Sequence, residues 1–368
     1  MLSKDEFRLL KIITAWAAGL LVATLFGSHI IEHVPNGGIG APSAFHQFNY
    51  VRSLAQWDGG HYLTIAGQGY TYPSQHAFFP LYPAILKFFN NVFGSVLVPG
   101  LIFNFLCFSV AAIIFYRLVR IYWDSTAAFE TIIALIIFPT SFFFLVLYTE
   151  SLFIFLSIAT VYLCLKKQFL YAAAFAALAS LTRSIGVFLT IIIIIEYLKY
   201  IRFSLKKIDI QAISILVAPF GFIAYNFYLF KTYGNAFYYL TAQSDWQRHL
   251  QDPFFTISQY IKDLPLLIRP SNDYLDLAVS VIVPLALIFG YKKLPFSWWI
   301  YSLAIIVPPL SSATLSGMPR YVLPSFGFFM IWAWFLKSNE MLKYLYYSIG
   351  FMLQVILALI FINGHWAA

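Results

Sequence analysis

The sequence predicts an all-α polytopic membrane protein, and its composition, the lengths of its apolar runs and the sidedness of its charge all indicate this. The 368 residues are 61% hydrophobic and only 10% charged, with a mean hydropathy of +0.78. Soluble domains carry about 25% charged residues. This chain therefore has too few charges to cover a water-facing surface, and a lipid environment is the alternative.

Apolar runs of about the length needed to cross a bilayer recur along the whole chain. They lie near 9–31, 95–117, 127–147, 151–165, 169–182, 184–198, 210–230, 276–291, 296–315, 321–337 and 343–362. The first run is too long for a signal peptide, so we expect it to be retained as a span. The sequence thus predicts one membrane domain over 1–368, a bundle of about 11 transmembrane helices.

The basic residues are concentrated on one side of this predicted bundle. With the N-terminus in the cytoplasm, 15 of the 23 Lys and Arg residues and seven of the 15 acids fall inside, which leaves eight of each outside. The whole +8 excess is then cytoplasmic, as the positive-inside rule requires. We expect a multi-pass protein of the cell membrane with a cytoplasmic N-terminus, and we interpret the basic balance as topology rather than as a nucleic-acid footprint.

Two connections on the predicted outer side are long, at about 32–94 and 231–275, and we call them the first and second long loops. Long loops in compact proteins usually carry function. The two cysteines, Cys107 and Cys164, lie in apolar runs and indicate no disulfide framework.

The first long loop contains the stretch QWDGGHYLTIAGQGY, in which Asp58 follows Trp57 and precedes two glycines. A carboxylate at the membrane surface can act as a general base towards a lipid-linked substrate. The alternative is that Asp58 caps a helix that starts at Gly59. Aromatic and proline residues follow around Phe78–Pro83, and we expect them to lie in the membrane interface.

Two arginines lie where a cation is costly. Arg183 stands between two apolar runs, so it faces a cavity or a partner, or it snorkels from a span end. Arg320 follows Gly317 and Pro319, which end one span and start a helix. A cation there opposes the helix dipole, so we expect a bound phosphate; pairing with a nearby acid is the alternative.

Polar residues outside these motifs are candidates for substrate contact. In AQSDWQRHL, Trp246 is placed to stack on a sugar while Gln243, Gln247 and His249 bond hydroxyls, or else the stretch is an interfacial helix with an aromatic anchor. Glu150 lies at an outer turn, where an acid is also ordinary in a first helical turn. The histidines show no ligand spacing that predicts a metal site.

Taken in order, these segments resemble the PIG-V family, bacterial relatives of the second mannosyltransferase of GPI-anchor synthesis. The resemblance runs from about 56 to 326 and is carried by WDGGHYLTIAGQGY, HAFFPLYP, FPTSFFFLVLYTESLF, SLTRSIGV, AQSDWQRH and SGMPRYVLPSF. It implies a membrane glycosyltransferase of the GT-C class. Such enzymes use a polyprenyl-phosphate sugar, typically mannose, on the non-cytoplasmic side.

The resemblance implies that Asp58 matches the catalytic acid of the first long loop. We expect an inverting transfer in which Asp58 is the base, His61 and Glu150 support it, and Arg183 and Arg320 hold the donor phosphate. The expected substrate contacts are Trp57, Tyr62, Gln243, Trp246 and Arg248.

The expected partners follow from this chemistry. They are a polyprenyl-phosphate sugar donor, a glycan or glycolipid acceptor and membrane lipids, with no nucleic acid. We expect no cofactor and no metal, because arginines neutralise the phosphate. The alternative function is a transporter or flippase of lipid-linked sugars. That class would place charge near the bilayer midplane in two related halves, whereas here the polar residues gather on one face.

Overall fold

A computed structural model describes residues 2–34, 49–263 and 271–367, and these ranges contain helices and no β-strand. The helices are α1 (Lys4–Gly27), α2 (Tyr50–Ser53), α3 (Asp58–Gln68), α4 (Leu81–Phe93), α5 (Leu97–Tyr122), α6 (Ser125–Ile136), α7 (Glu150–Leu165), α8 (Phe169–Thr182), α9 (Leu189–Tyr200), α10 (Ile213–Val217), α11 (Phe220–Tyr233), α12 (Tyr238–Thr241), α13 (Pro253–Asp263), α14 (Ser271–Phe289), α15 (Phe296–Leu310), α16 (Met318–Val322), α17 (Phe326–Lys337) and α18 (Glu340–Ile362). The all-α prediction is confirmed.

The helices have the character of membrane spans. Among the described residues, α1, α5, α14 and α18 are long and apolar enough to cross a bilayer, and the bent pair Ile210–Val217 and Phe220–Tyr233 makes a fifth span if it is counted as one. Five further apolar helices, α6, α7, α8, α15 and α17, have 10–17 residues. The polytopic membrane class is confirmed. The count of about 11 is not, because the shorter helices fall below the length of a straight span.

The apolar run at 127–147 is the clearest departure from the predicted spans. Its helix, α6, ends at Ile136, and only a 3-10 turn at Ser141–Phe144 follows before α7. The residues from 141 to 150 are nevertheless all buried. Irregular backbone at this depth needs internal partners, and Asn104 of α5 supplies two of them by donating to the carbonyls of Val146 (2.6 Å) and Tyr148 (3.0 Å).

The residues group into two compact units. The first consists of 1–69, 83–151 and 329–368, and the second of 70–82 and 152–328. The first long loop is shared between them, and its residues 35–48 lie outside the described ranges, as do residues 264–270 of the second long loop. The single domain over 1–368 stays a prediction.

In the first unit α1 packs against α5, α6 and α18. Gln354 of α18 accepts a hydrogen bond from the Trp16 indole (2.8 Å) and donates to the carbonyls of Ile136 (2.9 Å) and Phe138 (3.0 Å) just past the end of α6. Every polar group of the Gln354 side chain thus has a protein partner, as a lipid environment requires. At the start of α1, Glu6 accepts two hydrogen bonds from Arg117 (2.6 and 3.0 Å).

In the second unit α8 packs against α10 and α11. The approach is close at Gly221, where a Cβ atom would overlap the Ala177 carbonyl. Phe79 is buried beside Tyr225 and Tyr239. The rings around Phe78–Pro83, which the sequence predicts at the membrane interface, therefore include core residues of the protein that pack on α11 and α12. Their position relative to the membrane stays a prediction.

Candidate active site

The ten site residues predicted from the sequence divide between the two units. Trp57, Asp58, His61, Tyr62 and Glu150 belong to the first unit, and Arg183, Gln243, Trp246, Arg248 and Arg320 belong to the second.

The backbone at Trp57 is strained. Its φ of 54° and ψ of −117° lie in a region that residues with a side chain rarely adopt. Such a conformation costs roughly 1–3 kcal/mol and persists only where the surroundings impose it. The turn ends directly at Asp58, the first residue of α3. Trp57, and not Asp58, occupies the N-cap position, so the capping alternative for Asp58 does not describe this helix start.

The Tyr148 hydroxyl holds this turn together. It accepts a hydrogen bond from the backbone N–H of Asp58 (3.1 Å) and donates one to the carbonyl of Gln56 (3.1 Å). Nearby, the Leu147 N–H donates to the Leu54 carbonyl (2.9 Å). The irregular segment after α6 therefore binds both flanks of the Trp57 turn, which explains how the strain there is maintained.

Glycine at position 59 permits this close packing. A Cβ atom at Gly59 would lie 3.3 Å from the Leu147 carbonyl oxygen and 3.3 Å from the Ala55 side chain. Both contacts are tighter than ordinary van der Waals separation, so a Cβ atom at this position would require its neighbours to shift by a few tenths of an ångström. The small residue after Asp58 thus allows the close approach that fixes the carboxylate-bearing turn.

Trp57 itself is held by the C-terminal segment. Its indole N–H donates to the His365 carbonyl (3.1 Å), and its ring packs edge-on against Trp366 at a centroid separation of 5.1 Å. These contacts give Trp57 a structural role at the turn. Its predicted contact with substrate stays a prediction.

The other members of the first group are buried close to the same segment. His61 and Tyr62 lie on α3, and the Tyr62 ring packs edge-on against Tyr148 at 6.4 Å. Glu150 is the first residue of α7 and is only 3% exposed. Its position at a helix start is as predicted, while its burial exceeds that of an ordinary solvated acid in a first turn.

Gln56 is a polar residue of this region that the sequence reasoning did not single out as a site residue. It is 0% exposed, and neither the nitrogen nor the oxygen of its amide has a hydrogen-bond partner among the described residues. Buried amides are rarely left unsatisfied in proteins. Its position two residues before Asp58 makes it a candidate for contact with a bound substrate.

Three arginines converge on Tyr321 in the second unit. The guanidinium carbons of Arg183, Arg248 and Arg320 lie 5.5, 5.1 and 5.1 Å from the centroid of its ring. Because all three carbons lie near one ring centroid, the distance between any two of them cannot exceed the sum of their two distances to that centroid. Arg320 is 5% exposed and also donates to the Tyr321 hydroxyl (3.3 Å). The structure thus brings the two predicted phosphate-binding arginines together and adds Arg248.

Arg183 is positioned by the end of α8. It is the C-cap residue, with extended backbone, and a 3-10 turn at Ser184–Phe188 follows. Gly186 in this turn lies against the Ala179 backbone so closely that a Cβ atom would overlap it. The guanidinium also lies 5.8 Å from the Phe153 ring centroid. Aromatic faces stabilise a cation that is partly removed from water.

Arg320 lies on α16, where a helix start is predicted from Gly317 and Pro319. The helix begins at Met318, and Gly317 has a φ of 80°. The backbone N–H groups of Gly317 and Met318 donate to Asp276 of α14, which is 2% exposed. The hydrogen-bond acceptor at this helix start is therefore a carboxyl group of the chain itself, and a phosphate bound by Arg320 would lie at the arginine cluster instead.

Arg248 comes from the second long loop, which docks on the segment between α15 and α16. Its guanidinium donates to the Ser312 hydroxyl (3.0 Å) and to the Ser316 carbonyl (2.6 Å). The Tyr260 hydroxyl accepts from the Leu315 N–H (3.2 Å), which attaches α13 to the same segment. The loop is thereby fixed beside Tyr321.

Gln243 and Trp246 lie just before Arg248, in the 3-10 turn Ala242–Trp246. The Gln243 carbonyl accepts from the Arg248 N–H (3.3 Å), and the Trp246 ring packs edge-on against Phe78 at 5.8 Å. Both residues shape the loop that carries Arg248. Their predicted contacts with sugar stay predictions.

Comparison with known proteins gives a consistent family match. A family model described as mannosyltransferase (PIG-V) matches residues 38–264, more than half of the chain. This range includes Asp58, Glu150, Arg183 and Arg248, and it ends before Arg320.

Among the described residues, no three acids, histidines or cysteines are grouped so that they could hold a metal ion.

Several curated proteins named GPI mannosyltransferase 2 are similar to the chain. The Drosophila pseudoobscura pseudoobscura protein is 27% identical over 129 residues, which cover 32% of this chain and 28% of the relative. The Schizosaccharomyces pombe protein is 28% identical over 167 residues, 44% of this chain and 36% of the relative. The Drosophila melanogaster protein is 28% identical over 148 residues, 36% of this chain and 33% of the relative. The matches therefore span about a third of each relative's length.

Proposed function

Because this chain belongs to the PIG-V mannosyltransferase family, we propose that it is a membrane mannosyltransferase that uses a polyprenyl-phosphate mannose donor. The acceptor is a hydroxyl of a glycan or glycolipid on the extracytoplasmic side of the cell membrane. The strained Trp57 turn, which ends at Asp58 and is held by Tyr148, carries the proposal, since backbone strain of this kind is concentrated at active sites.

In the proposed reaction Asp58 acts as the general base. Its carboxylate takes the proton of the acceptor hydroxyl while the hydroxyl oxygen forms a bond to the anomeric carbon of mannose. The bond from that carbon to the phosphate oxygen breaks, and its electron pair stays on the oxygen. The products are the mannosylated acceptor, a polyprenyl phosphate and a protonated Asp58, and the configuration at the anomeric carbon is inverted because the displacement is direct.

Arg183 and Arg320 are the proposed phosphate-binding residues. Guanidinium groups bind phosphate oxygens through paired, charge-assisted hydrogen bonds. Their convergence on one tyrosine ring supports this role, because two buried or half-buried cations placed together are suited to stabilise charge on a leaving group. His61 and Glu150 are proposed to orient Asp58, and Trp57, Tyr62, Gln243 and Trp246 are proposed to contact substrate.

The proposed function is tested with purified protein in lipid nanodiscs. It is incubated with polyprenyl phosphates that carry mannose, glucose or galactose, together with a glycolipid acceptor extract, and released polyprenyl phosphate is measured. We expect acceptor-dependent release from the mannose donor. Release from none of the donors, or release that requires no acceptor, would contradict the proposal.

A further inference from the structure

The cluster around Tyr321 contains one more arginine than the proposed donor site requires. Arg183, Arg248 and Arg320 all lie within 5.5 Å of the same ring centroid. Three guanidinium groups within this distance of one ring are a donor set suited to a phosphate that carries two negative charges, because a guanidinium can make a forked pair of hydrogen bonds. A singly charged phosphate needs fewer of them.

Arg248 is positioned to supply the additional charge. Two of its N–H groups are used by Ser312 and Ser316, and the remaining three of the five donors of an arginine make no hydrogen bond to the part of the chain that the structure describes. The two bonds fix the guanidinium plane, and the other donors are available to a ligand. The second long loop therefore delivers a pre-oriented cation to the Tyr321 ring.

The charge on the phosphate changes during the proposed reaction. In the donor, phosphate is esterified to both lipid and sugar and carries one negative charge. After transfer it is a monoester, whose second pKa of about 6 leaves it close to doubly charged at neutral pH. A site that binds the doubly charged form more tightly stabilises the transition state as negative charge grows on the leaving oxygen.

We propose that Arg248 is the third member of the phosphate site, and that this site binds a lipid monophosphate more tightly than a lipid phosphodiester. The inference rests on the proposed function and deepens it, because it assigns the cluster to the leaving group. It also makes the released polyprenyl phosphate a ligand that competes with the donor. Inhibition of turnover by this product then depends on Arg248.

The binding test uses farnesyl phosphate and its methyl diester, which differ in one charge and share one lipid chain. Dissociation constants are measured at pH 7.5 by titration of the purified protein in detergent. We expect the monophosphate to bind about tenfold more tightly, and Arg248→Gln to remove most of that preference, since one charge-assisted contact corresponds to about tenfold in affinity or more. Lys262→Gln, an exposed cation of the same loop, should leave both constants unchanged.

The same titrations at a second pH separate recognition of the phosphate charge from a structural effect of the variant. At pH 5 farnesyl phosphate carries about one charge, so the wild-type preference should disappear, while the diester does not titrate and serves as the reference. The charged and titratable groups around the site are Arg183, Arg320, Tyr321, Asp276 and Asp273. Because the diester itself does not titrate, a change in its affinity between the two pH values reports any titration of these groups.

Two further variants keep the test decisive if Arg248→Gln does not fold. Arg248→Lys retains the charge without the fork, and Ser312→Ala removes a partner that orients the guanidinium. Both should bind the monophosphate more weakly than wild type and keep their affinity for the diester. Equal wild-type affinity for the two ligands, or a preference that survives in all three variants, overturns the inference.

The two proposals fail separately in these experiments. Binding needs no turnover, so a protein that prefers the monophosphate but transfers no mannose contradicts only the proposed function. A protein that transfers mannose without any preference between the two ligands contradicts only the assignment of Arg248.

Discussion

Tyr148 illustrates how a single hydroxyl determines the position of the backbone that carries the proposed base. It contacts the backbone on both sides of the strained Trp57, through the Gln56 carbonyl and the Asp58 N–H. The ring is 1% exposed, so water cannot replace these two bonds if the hydroxyl is lost. The carboxylate of Asp58 is therefore positioned by a residue that need not touch substrate.

Replacing Tyr148 with Phe tests this positioning role. A buried donor and a buried acceptor would lose their partner, which should lower the free energy of unfolding by about 1–3 kcal/mol. Small misplacement of a reacting group is costly, so we expect kcat for mannosyl transfer to fall about tenfold with little change in KM. Steady-state kinetics and thermal unfolding measure the two effects.

Tyr301→Phe is the matched control, because Tyr301 is also fully buried and its hydroxyl bonds Ser157 (3.3 Å) in the second unit. It should affect stability and leave kcat unchanged. Equal kinetic effects of the two substitutions would show that Tyr148 has no special relation to Asp58.

At the scale of elements, close helix contacts and short turns determine where the site residues lie. The α8–α11 contact depends on Gly221, and the loop segment 70–82 is attached to the second unit by His76. The His76 ring stacks on Tyr70 at 4.7 Å, and its Nε2 atom bonds the Tyr233 hydroxyl (2.9 Å). Neither the close contact at Gly221 nor the contacts of His76 have a distinctive sequence pattern.

Gly221→Ala should destabilise the protein. A Cβ atom at this position overlaps the Ala177 carbonyl, and overpacking of this kind typically costs about 1–3 kcal/mol. Gly19→Ala is the control, since no atom lies within 4 Å of a Cβ there and alanine is the better helix former. Thermal unfolding in detergent should show a lower Tm for the first variant only, and an equal Tm for both would contradict the close contact.

His76 should make stability depend on pH. Burial lowers the pKa of His76, against the smaller opposing effect of hydrogen bonds with the backbone of Pro73 and Tyr72. The unfolded chain then binds a proton more readily, so the contribution to stability is present above the ordinary histidine pKa of about 6.5 and is lost as pH falls below it. His76→Asn should reduce the drop in Tm between pH 7.5 and 5.5, and an unchanged drop would contradict this.

At the scale of the whole molecule, hydropathy predicted the helices well where one helix fills one apolar run. The run at 343–362 corresponds to α18, and that at 169–182 to α8. The run at 127–147 does not form the one continuous helix that is predicted for a span. Apolar sequence indicates burial, but it does not distinguish a helix from an irregular segment whose carbonyls accept hydrogen bonds from Asn104. The count of about 11 spans is not confirmed, because several of the apolar runs form helices shorter than a straight span.

The candidate site was predictable only in part. Asp58, Arg183 and Arg320 stand out because charge is rare in this sequence. Tyr148 and Tyr321 do not, since the chain has 25 tyrosines and only tertiary contacts distinguish these two. Asp276 carried a signal, as an acid at the edge of an apolar run, but its partners at the start of α16 lie about 40 positions away in sequence, beyond local patterns.

The predicted topology is tested by labelling single cysteines in intact cells. Tyr72 and Leu250 are 58% and 90% exposed in the long loops, and Leu205 is 76% exposed between α9 and α10. From the positive-inside rule, cysteines at 72 and 250 should react with a membrane-impermeant maleimide, and one at 205 should react only after permeabilisation. The native Cys107 and Cys164 are buried and give little background. Labelling of a cysteine at 205 in intact cells would contradict the predicted orientation.

The most direct test of the central claim is the rate of mannosyl transfer by Asp58→Asn. The amide keeps the shape of the side chain and removes the base, so transfer should fall by at least ~10²-fold while donor binding and thermal unfolding stay near wild type. Asp245→Asn, an exposed acid of the second long loop, should transfer mannose at the wild-type rate. A folded Asp58→Asn protein that transfers mannose at close to the wild-type rate would show that Asp58 is not the base.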